Sequence, residues 1–444
     1  MKLVLVLDRI LRRFTPSPFA IAVLLTAFTI ALATFSTDQS SAEVVTAWGS
    51  NFWGLTSFTL QMAMILLGGY VVAVSPPIKK LLHLSVSFIS TPVQAVLFCT
   101  LVSCAASYLN WGFGLVVGGV VALEVGKKVS QVPFRLLVAS SYSGFLVWHA
   151  GLSGSIPLTL NTDGNKWQET MGGLVELNQT LFSSVNLIAL VAILVLLPLL
   201  NLLYLKIVGS ESEKWKPTRS AEVSAEPIET QFLENNVGIS LLLFGLGAFY
   251  MFTLIRSGEF GLNLNSINFI FFMLGVLLHG SPGAFMRAVI SAIPKVAPIL
   301  IQYPLYSAIM GVLTDTGLGA QIAQFFVQHS TAETFPLMTF YSAGLINLFV
   351  PSGGGQWAVQ ADIVMTAARE LNADTPKTIM AVAWGDAWTN MAQPFWAMPL
   401  LAIAGLSIKD IIGFCLMTLV ASGVVLSLIF GYVEYGRSWN TNWR

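Results

Sequence analysis

Long apolar stretches separated by short polar segments run along the whole chain. Nine of these stretches approach or reach the length with which a helix crosses a membrane, roughly 20 residues for a ~30 Å hydrocarbon layer. The predicted spans are residues 18–35, 52–74, 134–158, 180–205, 237–255, 265–279, 290–312, 377–403 and 410–434. The pattern therefore predicts an all-α polytopic membrane protein.

Two further segments each consist of two apolar arms joined by a polar tip that contains glycine. The tip of residues 91–128 is NWGFG at 110–114, and the tip of residues 335–369 is PSGGG at 351–355. Because glycine allows tight turns, both segments are predicted to be helical hairpins. A hairpin starts and ends on one side of the membrane, whether it re-enters or crosses twice, so the remaining topology is unaffected.

One polar segment interrupts the apolar pattern for longer than any other. Residues 209–236 hold nine of the 44 charged side chains, together with Pro217 and Pro227. A segment of this composition buries too little apolar surface to fold by itself. It is predicted to be a cytoplasmic linker between a first membrane unit, residues 1–208, and a second, residues 237–444.

The composition agrees with this organisation and excludes other classes. The 444 residues are 55% hydrophobic and 10% charged, and 22 basic side chains balance 22 acidic ones. Without a net positive charge, no nucleic-acid partner is expected. The three cysteines, Cys99, Cys104 and Cys415, lie in apolar stretches and lack the spacing of a zinc site or a disulfide framework. We expect them to be buried thiols.

The distribution of basic residues predicts the orientation, because cytoplasmic loops are enriched in Lys and Arg. With the N-terminus inside, 16 basic residues fall in inside segments and 6 in outside segments. The outside six are Lys166, Arg256, Arg369, Lys377, Arg437 and Arg444. The sequence therefore predicts a cytoplasmic N-terminus and linker and an external C-terminus.

Three residue matches at similar separations indicate a duplicated unit. Gln61 matches Gln302 at a separation of 241, Asn110 matches Asn347 at 237, and Pro133 matches Pro376 at 243. The span 18–35 then corresponds to 265–279, and the chain crosses the membrane five times between the starts of those two spans. Because an odd number of crossings turns the second unit upside down, two inverted-topology repeats are predicted, as in many secondary transporters.

Helix-breaking residues interrupt one span in each unit. Residues 141–157 contain SYSG and GLSGSIP, and residues 385–394 are GDAWTNMAQP. A broken helix frees N–H and C=O groups, which a membrane protein tolerates only where protein or a water-lined cavity covers them. Freed N–H groups can bind an anion and freed carbonyls a small cation. The alternative is that glycine and proline merely allow close helix packing.

Two titratable side chains lie inside these broken spans. Asp386 is near the centre of a predicted span, where an unpaired charge costs roughly 3 kcal/mol or more. We expect either a coupling role, as a proton carrier or part of a cation site, or a structural role with hydrogen bonds to backbone N–H groups. His149 likewise has two interpretations, a proton relay or a neutral packing residue.

Two other functions fit part of the pattern. The string GLSG at 151–154 matches the GxSG motif of intramembrane serine hydrolases, but His83, His279 and His329 lie outside or at the edges of the predicted spans. No HExxH motif occurs either, so an enzyme is the remote alternative. A passive channel or facilitator for small organic anions is the nearer one.

Three long strings carry a resemblance to a known family. They are NWGFGLVVG at 110–118, NLFVPSGGGQWAVQ at 347–360 and NMAQPFWAMPLLAIAGL at 390–406. With these strings the chain resembles the bacterial short-chain fatty acid transporter family, within the ion-transporter superfamily. The resemblance implies uptake of small monocarboxylates, of the acetoacetate and butyrate type, across the bacterial inner membrane. By analogy with the superfamily it also implies a homodimer and an elevator-type mobile domain.

The same resemblance implies a set of site residues, because the superfamily binds the substrate carboxylate and sodium at hairpin tips and helix breaks. The implied substrate-binding residues are Asn110, Gly112, Ser153, Ser155, Asn347, Ser352, Gly353, Gly354, Asn390 and Gln393. Asp386 and His149 are the candidate coupling residues, and a sodium ion would lie near Asn110, Ser153, Asn347 and Asn390. The Ser-Asn-Thr signature of the superfamily's dicarboxylate carriers is not intact at either tip, which leaves the coupling ion open.

The polar breaks and tips also constrain the mechanism. None contains Lys or Arg, so a buried carboxylate meets no full positive charge there. Helix ends offer about 0.3–2 kcal/mol, whereas desolvating a carboxylate costs several kcal/mol. A co-bound Na⁺ or proton offsets this deficit, so symport is predicted, with no other cofactor. Either an apolar wall for a short alkyl chain or ordinary packing accounts for Trp111, Phe113, Trp357, Phe395 and Trp396.

Labelling of single cysteines tests the predicted orientation. In a background without native cysteines, we expect S212C to react from the cytoplasmic side and S330C from the outside, because the three predicted spans 237–255, 265–279 and 290–312 separate them. A membrane-impermeant maleimide, applied to intact cells and to inverted vesicles, measures the reaction. Labelling of both positions from one side would contradict the prediction.

Overall fold

In the computed structural model, residues 18–161, 167–209, 232–260, 264–348, 351, 353–393 and 396–432 are described. The elements of the first half are α1 Pro18–Ser36, α2 Ser41–Ser50, α3 Thr56–Ala73, α4 Pro76–Ser87, α5 Pro92–Leu109, α6 Trp111–Lys128, α7 Phe134–Ser143, a 3-10 helix Gly144–Ala150, α8 Ser155–Leu160, α9 Gln168–Met171 and α10 Ser184–Val208. Those of the second half are α11 Val237–Ser257, α12 Leu264–His279, α13 Pro282–Asp315, α14 Leu318–Gln328, α15 Phe335–Asn347, α16 Gly353–Glu370, α17 Thr375–Thr389, α18 Ala397–Ala404 and α19 Ile408–Tyr432. Within the described part every element is a helix, which confirms the all-α class.

The first predicted hairpin is present and turns at a single residue. Only Asn110 separates α5 from α6, and its extended backbone (φ −157°, ψ 129°) ends one helix and begins the next. Its Oδ1 accepts the N–H of Phe113 at 3.0 Å and so caps α6. At the other end of the arm, Thr91 and Gln94 form a capping box that starts α5. Side-chain caps therefore define both the entry and the tip of this hairpin.

Small residues bring the two arms of this hairpin into close contact. A Cβ on Gly118 would lie 2.8 Å from Ser103 Oγ, and a Cβ on Gly114 would overlap the side chain and backbone of Ser107. The glycines are four residues apart, as are the serines, so the arms touch along one line of the helix surface. Close contact of this kind holds helices together in a membrane, where apolar side chains gain little by leaving lipid.

The second hairpin and both broken helices also lie where the sequence predicts them. Helices α15 and α16 are the arms of the second hairpin, and residues 349–350 and 352 of its tip are outside the described part. In the first half, α7 continues as the 3-10 helix, and α8 follows after the break. In the second half, α17 ends before the break and α18 follows it.

The helices pack in two groups. The outer group comprises α1 to α4, α12 and α13, with α11 against α12 and α13. The inner group comprises the two hairpins, the broken helices, α10 and α19. The groups meet mainly where α3 and α4 contact α6 and where α13 contacts α18, while α14 packs between α13 and the second hairpin. Both hairpin tips and both helix breaks thus belong to the inner group.

Several span bounds differ from the prediction. The predicted span 290–312 is the middle of the 34-residue helix Pro282–Asp315. Helices α2, α4 and α14 were not predicted as elements, because they are too short to cross a membrane and mix polar with apolar residues. Among the described residues, four helices are long and apolar enough to cross, or five if Thr59–Ala73 and Pro76–Ser87, bent by 62°, form one broken span. The nine crossings and the inverted relation of the two units stay predictions.

Substitution of a contact glycine tests the packing of the first hairpin. We expect G114A to lower the free energy of unfolding by about 1–3 kcal/mol, because the added methyl group would overlap Ser107. G245A is the matched control, since a Cβ on Gly245 of α11 would meet nothing within 4 Å. Thermal unfolding of the purified protein in detergent measures both. Equal midpoints for G114A and G245A would contradict the close contact.

Candidate functional site

A buried histidine and a buried aspartate join the two halves of the chain. His149 lies on the 3-10 helix and Asp386 on α17, and both side chains are fully buried. The distance between His149 Nδ1 and Asp386 Oδ2 is 2.8 Å. Desolvating a carboxylate costs several kcal/mol unless a hydrogen-bonded partner compensates. His149 supplies that partner from the opposite half of the chain.

The surroundings of His149 assign the position of its ring proton. The backbone N–H of Ile156 donates to Nε2 at 3.2 Å. Since a backbone N–H is only a donor, Nε2 is an acceptor, and the proton of the neutral ring is on Nδ1. Nδ1–H therefore donates to Asp386 Oδ2. The other carboxylate oxygen, Asp386 Oδ1, is buried and has no hydrogen-bond partner among the described residues.

Ser155 extends this pair into a chain of three side chains. Its Oγ lies 3.2 Å from His149 Nε2, so the order Ser155, His149, Asp386 is that of a hydrolase triad. Ile156 N–H shares the same Nε2, however, and the backbone of Gly353 fills the space beside Ser155 Oγ. The serine of the GxSG string, Ser153, instead accepts the N–H of Trp111 at 3.0 Å. The arrangement links Asp386 through His149 to a hydroxyl at the helix break, with the Gly353 backbone packed beside that hydroxyl.

The tip of the first hairpin contacts the break in its own half. Besides the bond from Trp111 to Ser153, the N–H of Leu152 donates to Tyr108 O at 2.8 Å. Glycine is required at position 151, because a Cβ there would overlap the backbone of Tyr108. The backbone groups freed at the break are thus satisfied by the hairpin tip, as a membrane interior demands.

The tip of the second hairpin makes the corresponding contacts in the other half. Asn347 Nδ2 lies 2.8 Å from Asp386 O, 2.9 Å from Thr389 Oγ1 and 3.0 Å from Asn390 Oδ1. Gln393 Nε2 donates to Asn390 Oδ1 at 3.1 Å. An amide nitrogen carries only two hydrogens, so the three oxygens around Asn347 exceed its donors. A concentration of oxygen acceptors of this kind suits a small cation.

The second hairpin also contacts the break in the first half. A Cβ on Gly353, the first residue of α16, would overlap Ser155 Oγ and would lie 2.7 Å from His149 Cε1. Only glycine permits this approach of the backbone. Both hairpin tips therefore converge on the break between the 3-10 helix and α8, where His149 and Asp386 meet.

Aromatic side chains pack beside this convergence point. The ring centroid of Trp111, at the first tip, is 5.0 Å from that of Trp396 and 6.3 Å from that of Trp148. Phe145 and Trp396 are 5.8 Å apart. The cluster joins the first tip to both helix breaks, and its four rings are buried.

The structure brings most of the residues predicted from the sequence together. The residues at the tips and breaks, in contact or hydrogen-bonded to one another, are Asn110, Ser153, Ser155, Asn347, Gly353, Asn390, Gln393, Asp386 and His149. Gly112 is buried in the first turn of α6. Gly354 is exposed, and Ser352 and Phe395 lie outside the described part.

Two members of the predicted aromatic wall pack elsewhere. Trp357 lies 6.1 Å from Trp167 between ring centroids, and Phe113 lies 5.5 Å from Phe271 of the outer group. For these two residues the packing interpretation is the one that the contacts favour.

Sequence reasoning missed several buried polar residues around the site. Asn186 hydrogen-bonds to both broken helices, and Tyr142 donates its hydroxyl to Asn390 O at 2.7 Å. Gln356 and Gln360 are fully buried on α16. The His149–Asp386 contact itself was not predicted, although a signal existed. Its sequence separation of 237 equals the separation of Asn110 and Asn347.

Comparison with known proteins assigns the family. A family described as "Short chain fatty acid transporter" matches residues 2–433. A protein of Escherichia coli (strain K12), provisionally named a short-chain fatty acid transporter, is 39% identical over 430 residues and covers 94% of this chain and 96% of its own. A protein of Haemophilus influenzae with the same name is 38% identical over 420 residues, with 92% and 94% covered.

One solved structure is also similar, Neisseria gonorrhoeae MtrF, described as belonging to a class of antimetabolite efflux pumps. It covers 94% of this chain and 95% of its own, with 15% identity and a TM-score of 0.40, too low to support any argument. The family match and the two relatives, each spanning nearly the whole chain, carry the assignment. The chain belongs to the short-chain fatty acid transporter family.

Proposed function

We propose that this protein takes up short-chain fatty acids or related small monocarboxylates, such as acetoacetate and butyrate, by symport with a cation. The observation that carries the proposal is the buried His149–Asp386 pair at the point where both hairpin tips and both helix breaks converge. Because the family is one of transporters, the hydrolase alternative is set aside. Ser155 would then bind the substrate, and His149 would take part in coupling.

Neutral donors would hold the substrate carboxylate. Helices α6 and α16 both begin at the tips, so their positive dipole ends face the site. Asn390 Nδ2 is buried without a hydrogen-bond partner among the described residues and is free to donate. The Trp111, Trp148 and Trp396 cluster would contact the alkyl chain. Donors without a formal charge recover only part of the cost of desolvating a carboxylate.

The cation would compensate the remaining charge. Asp386 contributes a carboxylate whose Oδ1 has no partner in the described part of the chain, and three oxygens lie around Asn347. Both Na⁺ and a proton suit such a site, since either neutralises the carboxylate while the anionic substrate is bound. Obligate binding of a cation with the anion is what distinguishes symport from passive facilitation.

An elevator-type movement of the inner group against the outer group is part of the proposal. The contact between the groups is largely apolar: a Cβ on Gly69 would lie 2.9 Å from Val116 Cγ2, and Phe113 packs on Phe271. At one edge, Lys128 Nζ donates to Val86 O and Ser87 O. Apolar surfaces slide without breaking directional bonds, which supports the movement. We further propose location in the bacterial inner membrane, a cytoplasmic N-terminus and a homodimer, following the family resemblance.

Uptake by the purified protein tests the proposal. We expect proteoliposomes to accumulate radiolabelled butyrate or acetoacetate above the equilibrium level under an inward Na⁺ or proton gradient, because the site neutralises the anion only with a cation. Competition with unlabelled acids of two to six carbons measures the chain-length preference. Flux that reaches equilibrium but responds to neither gradient would identify a passive facilitator.

Neutralisation of the buried carboxylate tests the role of Asp386. We expect D386N to lower accumulation at least about tenfold, equivalent to about 1.4 kcal/mol, because the amide keeps the shape of the side chain but carries no charge for the cation. D315N is the matched control, since Asp315 Oδ2 also accepts a side-chain N–H, that of Asn51 at 2.7 Å, but in the outer group. Accumulation by D386N at the wild-type level, with D315N unchanged, would make Asp386 structural.

A further inference from the structure

A buried asparagine outside the hairpins and the broken helices connects the two halves of the site. Asn186 lies in the first turn of α10 and is fully buried. Its backbone N–H donates to Oγ of the N-cap residue Ser183 at 3.4 Å. Asn186 therefore lies at the start of the helix, with its side chain in the inner group. Nothing in the family match assigns a role to this residue.

The side chain of Asn186 makes three hydrogen bonds to three different segments. Nδ2 donates to Leu181 O at 2.7 Å and to Ala150 O at 3.2 Å. Oδ1 accepts the indole N–H of Trp384 at 2.9 Å. Both hydrogens of the amide are used, and the oxygen has a buried donor, so the orientation of the amide is determined by its neighbours.

Two of these partners adjoin the buried pair. Ala150 follows His149 directly and is the last residue of the 3-10 helix, so its carbonyl is one that the broken helix leaves free. Trp384 precedes Asp386 by two residues on α17. One amide thus joins the backbone beside His149 to the helix that carries Asp386, from a third helix.

We propose that Asn186 is the positioning residue that holds His149 and Asp386 at hydrogen-bond distance while the inner group moves. This inference rests on the proposed function and deepens it, since it assigns the maintenance of cation coupling to a residue that contacts neither substrate nor cation. In an apolar interior no water replaces a lost partner, so the position of the 3-10 helix relative to α17 depends on this amide.

The chain offers a matched control on the same helix. Asn201 is also buried in α10, and its Nδ2 donates to Thr100 Oγ1 at 3.0 Å and to Ser143 Oγ at 2.9 Å. It lies fifteen residues further along, about 22 Å at 1.5 Å per residue. N186L and N201L therefore remove equivalent buried amides, of which only the first adjoins the pair. W384F removes a single hydrogen bond of Asn186 and retains an aromatic ring.

For these variants, two modes of transport are measured in proteoliposomes: accumulation driven by a cation gradient, and exchange of substrate by counterflow without a gradient. We expect N186L to lose accumulation about tenfold or more while keeping substrate counterflow without a gradient, and to change KM less than about twofold, because substrate contacts remain while coupling is lost. W384F should show a smaller loss of the same kind, and N201L should keep the wild-type ratio of accumulation to counterflow. An equal fall of both modes in N186L would mean a general structural role and would overturn the proposal.

A double-mutant cycle with D386N supplies a readout that does not depend on transport. The shifts in unfolding midpoint should be non-additive for N186L with D386N and additive for N201L with D386N, because only contacting or networked positions couple. Additivity of N186L with D386N would overturn the inference. If the wild type showed no gradient-driven accumulation, the proposed function would fail, and the unfolding cycle would still decide whether Asn186 positions the pair.

Discussion

A carboxylate buried within a membrane protein requires a hydrogen-bonding partner. Asp386 has His149 as its partner, and the rest of the site surrounds this pair. His149 contacts Asp386 from the 3-10 helix that continues α7 and ends at the break. The break exposes the N–H of Ile156, which holds Nε2 and thereby directs the ring proton to Asp386. The pair thus depends on an irregular backbone, and the irregular backbone depends on being covered by the hairpin tips.

In each half of the chain, a residue at the hairpin tip hydrogen-bonds to a residue at the helix break of the same half. In the first half, Trp111 at the hairpin tip bonds to Ser153 at the break, 42 residues later. In the second, Asn347 bonds to Asn390, 43 residues later. His149 and Asp386 are separated by 237 residues, as are Asn110 and Asn347 and also Ser153 and Asn390. In a duplicated unit, residues at corresponding positions that contact each other would lie near the axis relating the two copies. The repeat itself stays a prediction.

The division into two helix groups relates this site to transport. All tips and breaks belong to the inner group, and the large buried cluster that contains them continues into α1, α3 and α13 of the outer group. A second, small cluster of Val71, Val276, Phe285 and Ala288 lies within the outer group. Polar contacts concentrate inside each group, whereas the surface between the groups is mainly apolar. In the proposed elevator-type movement, a substrate and a cation held within one group would change sides together, without exposing the carboxylate to lipid.

The sequence by itself determined the all-α membrane class, both hairpins, both helix breaks and most of the polar residues at them. It did so because apolar length, glycine-bearing tips and embedded polar residues are local properties of the chain. It did not determine the short helices α2, α4 and α14, or the partner of Asp386, or the contacts of Asn186. Only the tertiary structure decided these features. Helices from opposite halves of the chain bring His149, Asp386 and Asn186 together, and a hydrogen bond between residues so far apart in sequence leaves no signal in the local composition.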